Sequence, residues 1–252
     1  MPRTLFVIFD DPCYILAFSP PSRKSIDMTL VKLSLCSALA LCCTACPNFT
    51  SLQTARTTPQ GKTEMTFATG VGRLVEEEDA SFAGEDDDIP FPKALPLLEI
   101  RARHGLESDL DIGFRLSPGT MVGADIKKTL LDEGGVALAI GADLGGIYFG
   151  NGGYVELGVP LYISVHPADG LALYLSPRYV ARFGYNENND IDPETTYTYH
   201  FAGVAAGLKA GTRYGFVGEV NAFTNFPRST AYDAPDEGDW IYQLVLGGFV
   251  AF

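Results

Sequence analysis

The sequence predicts an all-β fold, an antiparallel up-and-down barrel of about ten strands that spans a membrane. Three observations carry this expectation. After residue 62, apolar and polar residues alternate at period two, as in Leu110, Ile112, Phe114 and Leu116 against Asp109, Asp111, Gly113 and Arg115, the mark of strands with one face buried. Most alternating segments are longer than the roughly 5–6 residues of soluble strands and suit the roughly 9–11 that a tilted strand needs to cross a bilayer. Charged residues keep to one phase of the alternation, which leaves the other phase apolar for lipid.

Composition bounds the alternatives. At 252 residues, 46% hydrophobic and 12% aromatic, the chain is too apolar to be disordered. Its net charge of −13 excludes a nucleic-acid partner, which would need clustered Lys and Arg. Beyond the N-terminal region no apolar run reaches the roughly 18 residues of a spanning helix.

All 5 cysteines, Cys13, Cys36, Cys42, Cys43 and Cys46, precede residue 47, a distribution that points to processing. Met28-Thr-Leu-Val-Lys32 followed by the apolar Leu33 to Cys43 reads as a helical secretory signal, and residues 1–45 are assigned to it. The residues ahead of Met28 have two readings: translation starts at Met28, or a true extension precedes the signal. Cys43-Thr44-Ala45-Cys46 resembles a bacterial lipobox, which makes Cys46 a lipid attachment site; Cys43 stands where Leu is usual, and ordinary cleavage after Ala45 is the competing reading. Residues 46–61, rich in Thr, Gln and Pro, read as a periplasmic linker arm.

The barrel is expected over 62–252, with strands at 62–73, 95–104, 108–117, 120–130, 135–149, 153–166, 171–184, 195–209, 213–225 and 239–252. Links after even strands (105–107, 131–134, 167–170, 210–212) are short, and every long link (74–94, 185–194, 226–238) falls at the opposite end. Pro160 and Pro177 interrupt the sixth and seventh strands. A closed barrel has no edge to hide a missing N–H, so a bulge or bend is expected there, or else incomplete closure.

The inward phase holds the acids Glu64, Glu99, Asp109, Asp111, Asp125, Asp143, Glu156, Glu219 and Asp239 and the bases Lys62, Arg101, Arg103, Arg115, Lys127, Arg178, Arg182, Lys209 and Arg213; only Arg73 and Lys128 point outward. The signs balance, whereas a strongly selective pore would show one sign in excess. A salt-bridge network filling a narrow lumen fits, since buried charges need partners. The alternative is a thin water path beside small inward residues such as Ala137, Gly141 and Gly207.

These features resemble those of a small bacterial outer-membrane β-barrel. The stretch from Ser51 to Glu64, with its Leu-Gln-Thr-Ala and Pro-x-Gly-Lys elements, is similar to the segment leading into the first strand of uncharacterised barrel lipoproteins. The terminal Phe252, in phase with Val250, Leu246 and Leu244, resembles the C-terminal signal read by the outer-membrane assembly machinery. The resemblance implies an outer-membrane location with loops to the exterior, both mature termini periplasmic, and a structural or passive, porin-like small-pore role.

Two rival functions follow from other residues. A lipid-modifying enzyme would need a lipid-facing catalytic group. Of His104, His166 and His200, only His200 lies in the outward phase near the loops, with no recognisable triad spacing. A soluble periplasmic ligand-binding barrel would reverse the polarity of the two faces. The outer links are acidic, with Glu76, Glu77, Glu78, Asp79, Glu85, Asp86, Asp87 and Asp88 in the first, Glu187, Asp190, Asp192 and Glu194 in the fourth, and Asp233, Asp236 and Glu237 in the fifth. Such clusters could meet divalent cations through oxygen ligands, although Asp86-Asp87-Asp88 lacks the spacing of a calcium loop. No zinc, nucleotide or phosphate motif is present, so no cofactor is expected.

Overall fold

In the computed structural model, residues 48–75, 95–118, 121–149, 152–188, 192–227 and 240–252 are described. They form ten antiparallel strands: β1 (Thr63–Val75), β2 (Leu95–Gly105), β3 (Leu110–Ser117), β4 (Met121–Glu133), β5 (Val136–Phe149), β6 (Gly152–Ala168), β7 (Leu171–Asn188), β8 (Asp192–Gly211), β9 (Tyr214–Pro227) and β10 (Trp240–Ala251). Each strand pairs with its sequence neighbours and β1 closes on β10, in register from Glu64 opposite Ala251 to Val75 opposite Trp240. Closure leaves no strand edge, so every backbone polar group can find a partner within the wall, as the bilayer interior requires. The chain is thus an up-and-down transmembrane β-barrel.

The period-two pattern decides which side of the wall each residue occupies. Phe67, Ile112, Phe114, Leu144, Leu157, Leu173, Val220 and Leu246 are exposed on the outside, while Glu99, Asp111, Arg115, Glu156 and Glu219 are buried within. Aromatic side chains collect on the outer surface near both ends: Tyr214 and Phe252 at one, Tyr148, Phe226 and Trp240 at the other. Such girdles mark the two interfaces of a membrane barrel.

Short hairpins at 106–109, 134–135, 169–170 and 212–213 define one end of the barrel, here the turn end; the links at 76–94 and 228–239 belong to the opposite, loop end. The wall is uneven, because β3 has 8 residues whereas β6, β7 and β8 have 17, 18 and 20. The expected link at 185–194 is mostly strand: β7 continues to Asn188 and β8 begins at Asp192, with Asn188 opposite Asp192. Its Asn, Asp, Glu and Thr residues read as a loop by composition. Pairing between two long neighbours extends the ladder regardless.

The two prolines produce neither a bulge nor an opening of the barrel. Pairing of β5 with β6 breaks off between Ile140–Leu161 and Asp143–Gly158, and pairing of β6 with β7 between Pro160–Arg178 and Ile163–Leu175, both without a change of register. Each proline therefore removes its donor from one interface only: Pro160 stays paired toward β7 and Pro177 toward β8, opposite Val204. The register shift in this region lies nearer the turn end, between Val165 and Ala168.

Candidate functional site

Residues 46–61 read as a linker by composition, but Asn48 to Ala55 are all buried, inside the barrel. The arm's hydrogen bonds to the wall give its position residue by residue. The Thr58 amide donates to Asp111 Oδ2 at 2.8 Å, and the Thr54 and Arg56 carbonyls each accept from Lys127 Nζ at 2.9 Å. The Ala55 amide meets Ser164 Oγ at 3.1 Å, and Gln53 Nε2 donates to the Tyr162 hydroxyl at 2.7 Å. Farther along, Arg101 donates to the Thr50 and Ser51 carbonyls. Gln243 Oε1 accepts from the Phe49 amide at 3.0 Å, and Asn48 Nδ2 donates to Glu99 and, at 2.8 Å, to Ser117 Oγ.

Glu219 is the densest of these contacts. Its carboxylate accepts from the Ser51 amide (2.7 Å), the Leu52 amide (2.6 Å), the Ser51 hydroxyl (2.9 Å) and the Tyr174 hydroxyl (2.8 Å). Leu52 holds φ at +49°, a left-handed conformation uncommon for a residue with a side chain. That twist aims two successive amides at one anion, the geometry of a backbone nest. Gly207 lies opposite Glu219, and a Cβ there would stand 2.4 Å from the Tyr174 hydroxyl; the missing side chain makes room for Tyr174 to reach the carboxylate.

One apolar anchor accompanies these polar contacts. The Phe49 ring stacks on Phe223 at a centroid distance of 4.4 Å and tilts against Phe201 at 5.0 Å, with the Arg182 guanidinium 5.8 Å from its centre. Phe49, Leu52, Val180, Val217, Phe223 and Val245 form a buried cluster between the arm and the wall. At the turn end, Gly105 lets the arm back out of the lumen: a Cβ on it would meet the Thr58 and Pro59 carbonyls at 2.3 Å. Gln60 then bridges to Gly105, and the chain turns into β1.

A second set of charges belongs to the wall. Glu156 bridges Arg115 (3.1 Å) and Arg182 (2.7 Å), and Asp143 stands between Arg115 (3.7 Å) and Arg178 (3.9 Å). Arg103 joins Asp111 and Asp125, Lys127 lies 3.5 Å from Asp111, and Lys209 pairs with Glu64 at 2.5 Å. Arg178 serves both sets, since it also donates to the Phe49 and Thr50 carbonyls at 3.5 and 3.4 Å.

The charges assigned to the lumen from sequence thus meet there, with three exceptions among the described residues, of which Lys62 is exposed just before β1. Asp109 lies in the turn before β3 and pairs at the surface with the outward Lys128 at 2.9 Å, and Arg213 is exposed in the turn before β9. Both keep the inward phase numerically, but phase loses its meaning where a strand ends. The hydrogen bond from Lys128 holds the Asp109 carboxyl below its ordinary range. Cys46, Asp239 and the acidic clusters at 76–88 and 233–237 lie outside the described residues. Phe252 is exposed at the turn end and tied to Thr63 by backbone bonds of 2.9 Å in each direction. His200 sits on the outer surface, its Nδ1 2.6 Å from the Tyr179 hydroxyl and its ring stacked on Tyr179.

No family model matches the chain, and no curated protein matches it in sequence. Among solved structures it is similar to the outer membrane protease OmpT from Escherichia coli, with 13% identity over 80% of this chain and 100% of that one, at a TM-score of 0.40. It is also similar to neisserial surface protein A, with 8% identity over 77% and 100% of the two chains at 0.38. A third is Ail, the attachment invasion locus protein of Yersinia pestis, with 11% identity over 77% and 99% at 0.31. The closed antiparallel wall, apolar outside and charged inside, is the architecture of a small outer-membrane-type β-barrel.

Proposed function

We propose that this protein is an integral bacterial outer-membrane barrel with a structural role, its turn end in the periplasm, its loops outside and its lumen closed by its own arm. The observation that carries the reading is the run of buried arm residues from Asn48 to Ala55, bonded on all sides to the wall. An open pore needs a continuous column of water, and here polypeptide fills that space. Purified, refolded protein in a planar bilayer is expected to give no conductance steps; steady single-channel steps from folded protein would overturn the reading.

A passive small pore is the second reading, and one observation favours it. Both Asp143 carboxylate oxygens, Arg115 Nη1 and Arg182 Nε are buried without a hydrogen-bond partner. Buried polar atoms of this kind are commonly satisfied by internal water, and a file of such waters beside the arm would give a small ohmic leak in the same recording.

Lipid anchoring at Cys46 and recognition of Phe252 by the assembly machinery complete the proposal. Mass spectrometry of the mature N-terminus tests the first, and loss of membrane insertion on removal of Phe252 tests the second. The enzymatic alternative rests on His200, whose imidazole is engaged by Tyr179 in the manner of an interfacial aromatic pair. An unchanged membrane lipid profile in a deletion strain counts against it.

A further inference from the structure

The contacts of the arm fix its direction. Thr58 meets Asp111 beside the turn end, Ala55 meets Ser164, Ser51 meets Glu219, and Phe49 meets Phe223, progressively farther from the turn-end hairpins along their strands. Asn48 stands level with Ser117, the last residue of the shortest strand, at the low rim of the wall on the loop side. We propose that the chain preceding Asn48 leaves the lumen through the loop-end mouth, so that the barrel presents that segment on the face opposite its C-terminus.

Two physical points support this. Pro47 and Cys46 lie within about 8 Å of Asn48 along the chain, since consecutive Cα atoms are about 3.8 Å apart. To reach the turn end instead, the chain would have to double back through a section already filled by the arm and by Tyr162, Lys127 and Glu219, each at most 2% exposed. A second strand of polypeptide would displace those side chains and the bonds they make to the arm.

The inference rests on the orientation proposed above, and it alters the reading that both mature termini are periplasmic: only Phe252 would be. An acyl group on Cys46 would then enter the outer leaflet, beside β3, and not the inner one.

The test uses the full chain in intact cells, with one epitope inserted between Cys46 and Pro47, one in the 212–213 turn and one in the 228–239 link, each in a separate variant. Folding is checked by heat-dependent migration in a detergent gel. The N-terminal and 228–239 epitopes should both bind antibody on intact cells, and the turn epitope only after permeabilisation. If the N-terminal epitope follows the turn epitope, the threading proposal is overturned and the orientation stands. If the turn epitope is accessible and the 228–239 epitope is not, the orientation fails, and threading is still judged by which of the two the N-terminal epitope accompanies. Should the insertion prevent folding, Pro47→Cys read with a membrane-impermeant maleimide, against the unsubstituted chain, gives the same answer: labelling of intact cells at the level of permeabilised ones supports threading, and labelling only after permeabilisation overturns it.

Discussion

The lumen charges divide into two sets that resemble each other in sequence and differ in what they hold. Glu219, Glu99, Arg101 and Lys127 spend most of their hydrogen bonds on the arm, whereas Arg115, Asp143, Glu156 and Arg182 answer one another across the wall. Three members of the first set read main chain, amides at Glu219 and carbonyls at Arg101 and Lys127, while Glu99 accepts from the Asn48 and Thr50 side chains. The second set neutralises charge that the barrel would otherwise bury alone. Sign balance by itself, then, does not tell a self-contained network from a binding surface.

Experiments can set the two against each other. Deleting Asn48–Thr58 is expected to have the largest effect, turning a silent barrel into one with steady conductance steps in a planar bilayer; a folded, arm-less barrel that stays silent would mean the side chains alone close the lumen. Glu219→Ala should come next, because it strands two amides and two hydroxyls in a dry site at roughly 1–3 kcal/mol each before relaxation. The expected signature is arm release, read as new protease cleavage between Asn48 and Thr58 while the heat-modifiable gel shift of the barrel persists.

Glu156→Gln should do the reverse. It leaves Arg115 and Arg182 short of a counter-charge, at a cost of about 3–5 kcal/mol, so the barrel should unfold at a lower temperature in detergent while its arm stays protected. Phe49→Ala, which removes the stacked anchor against Phe223 and Phe201, should cost about 3 kcal/mol and raise arm cleavage less than Glu219→Ala does. Arg56→Ala breaks a pair with Asp132 whose side chains are 43% and 40% exposed, and should shift unfolding by no more than about 0.5 kcal/mol.

The strands were legible because a wall between lipid and a polar lumen imposes strict alternation, and alternation survives in sequence whatever the partners are. The arm was not, because most of the partners of its side chains and backbone lie 49 to 194 positions away, from Glu99 to Gln243. Nothing local distinguishes such a segment from a solvated linker. One signal did exist. Glu219 lies opposite Gly207 on one side and Val245 on the other, so an inward acid has no cation across either ladder, and a third element is needed to satisfy it. That signal depends on register, which alternation alone leaves open. The 185–194 segment misled for a related reason: polar composition marks a loop only where no neighbouring strand continues beside it.

The short β3 has a consequence for the surrounding lipid. Eight residues, rising about 3.3 Å each and tilted by roughly 40°, reach about 20 Å. The apolar band of such barrels is about 25 Å tall, so the bilayer must dimple beside β3 or the whole barrel must lean toward that side. A dimple would make the lipid next to β3 thinner than that next to β8, and a barrel with one thin flank will drift toward thin regions of its membrane.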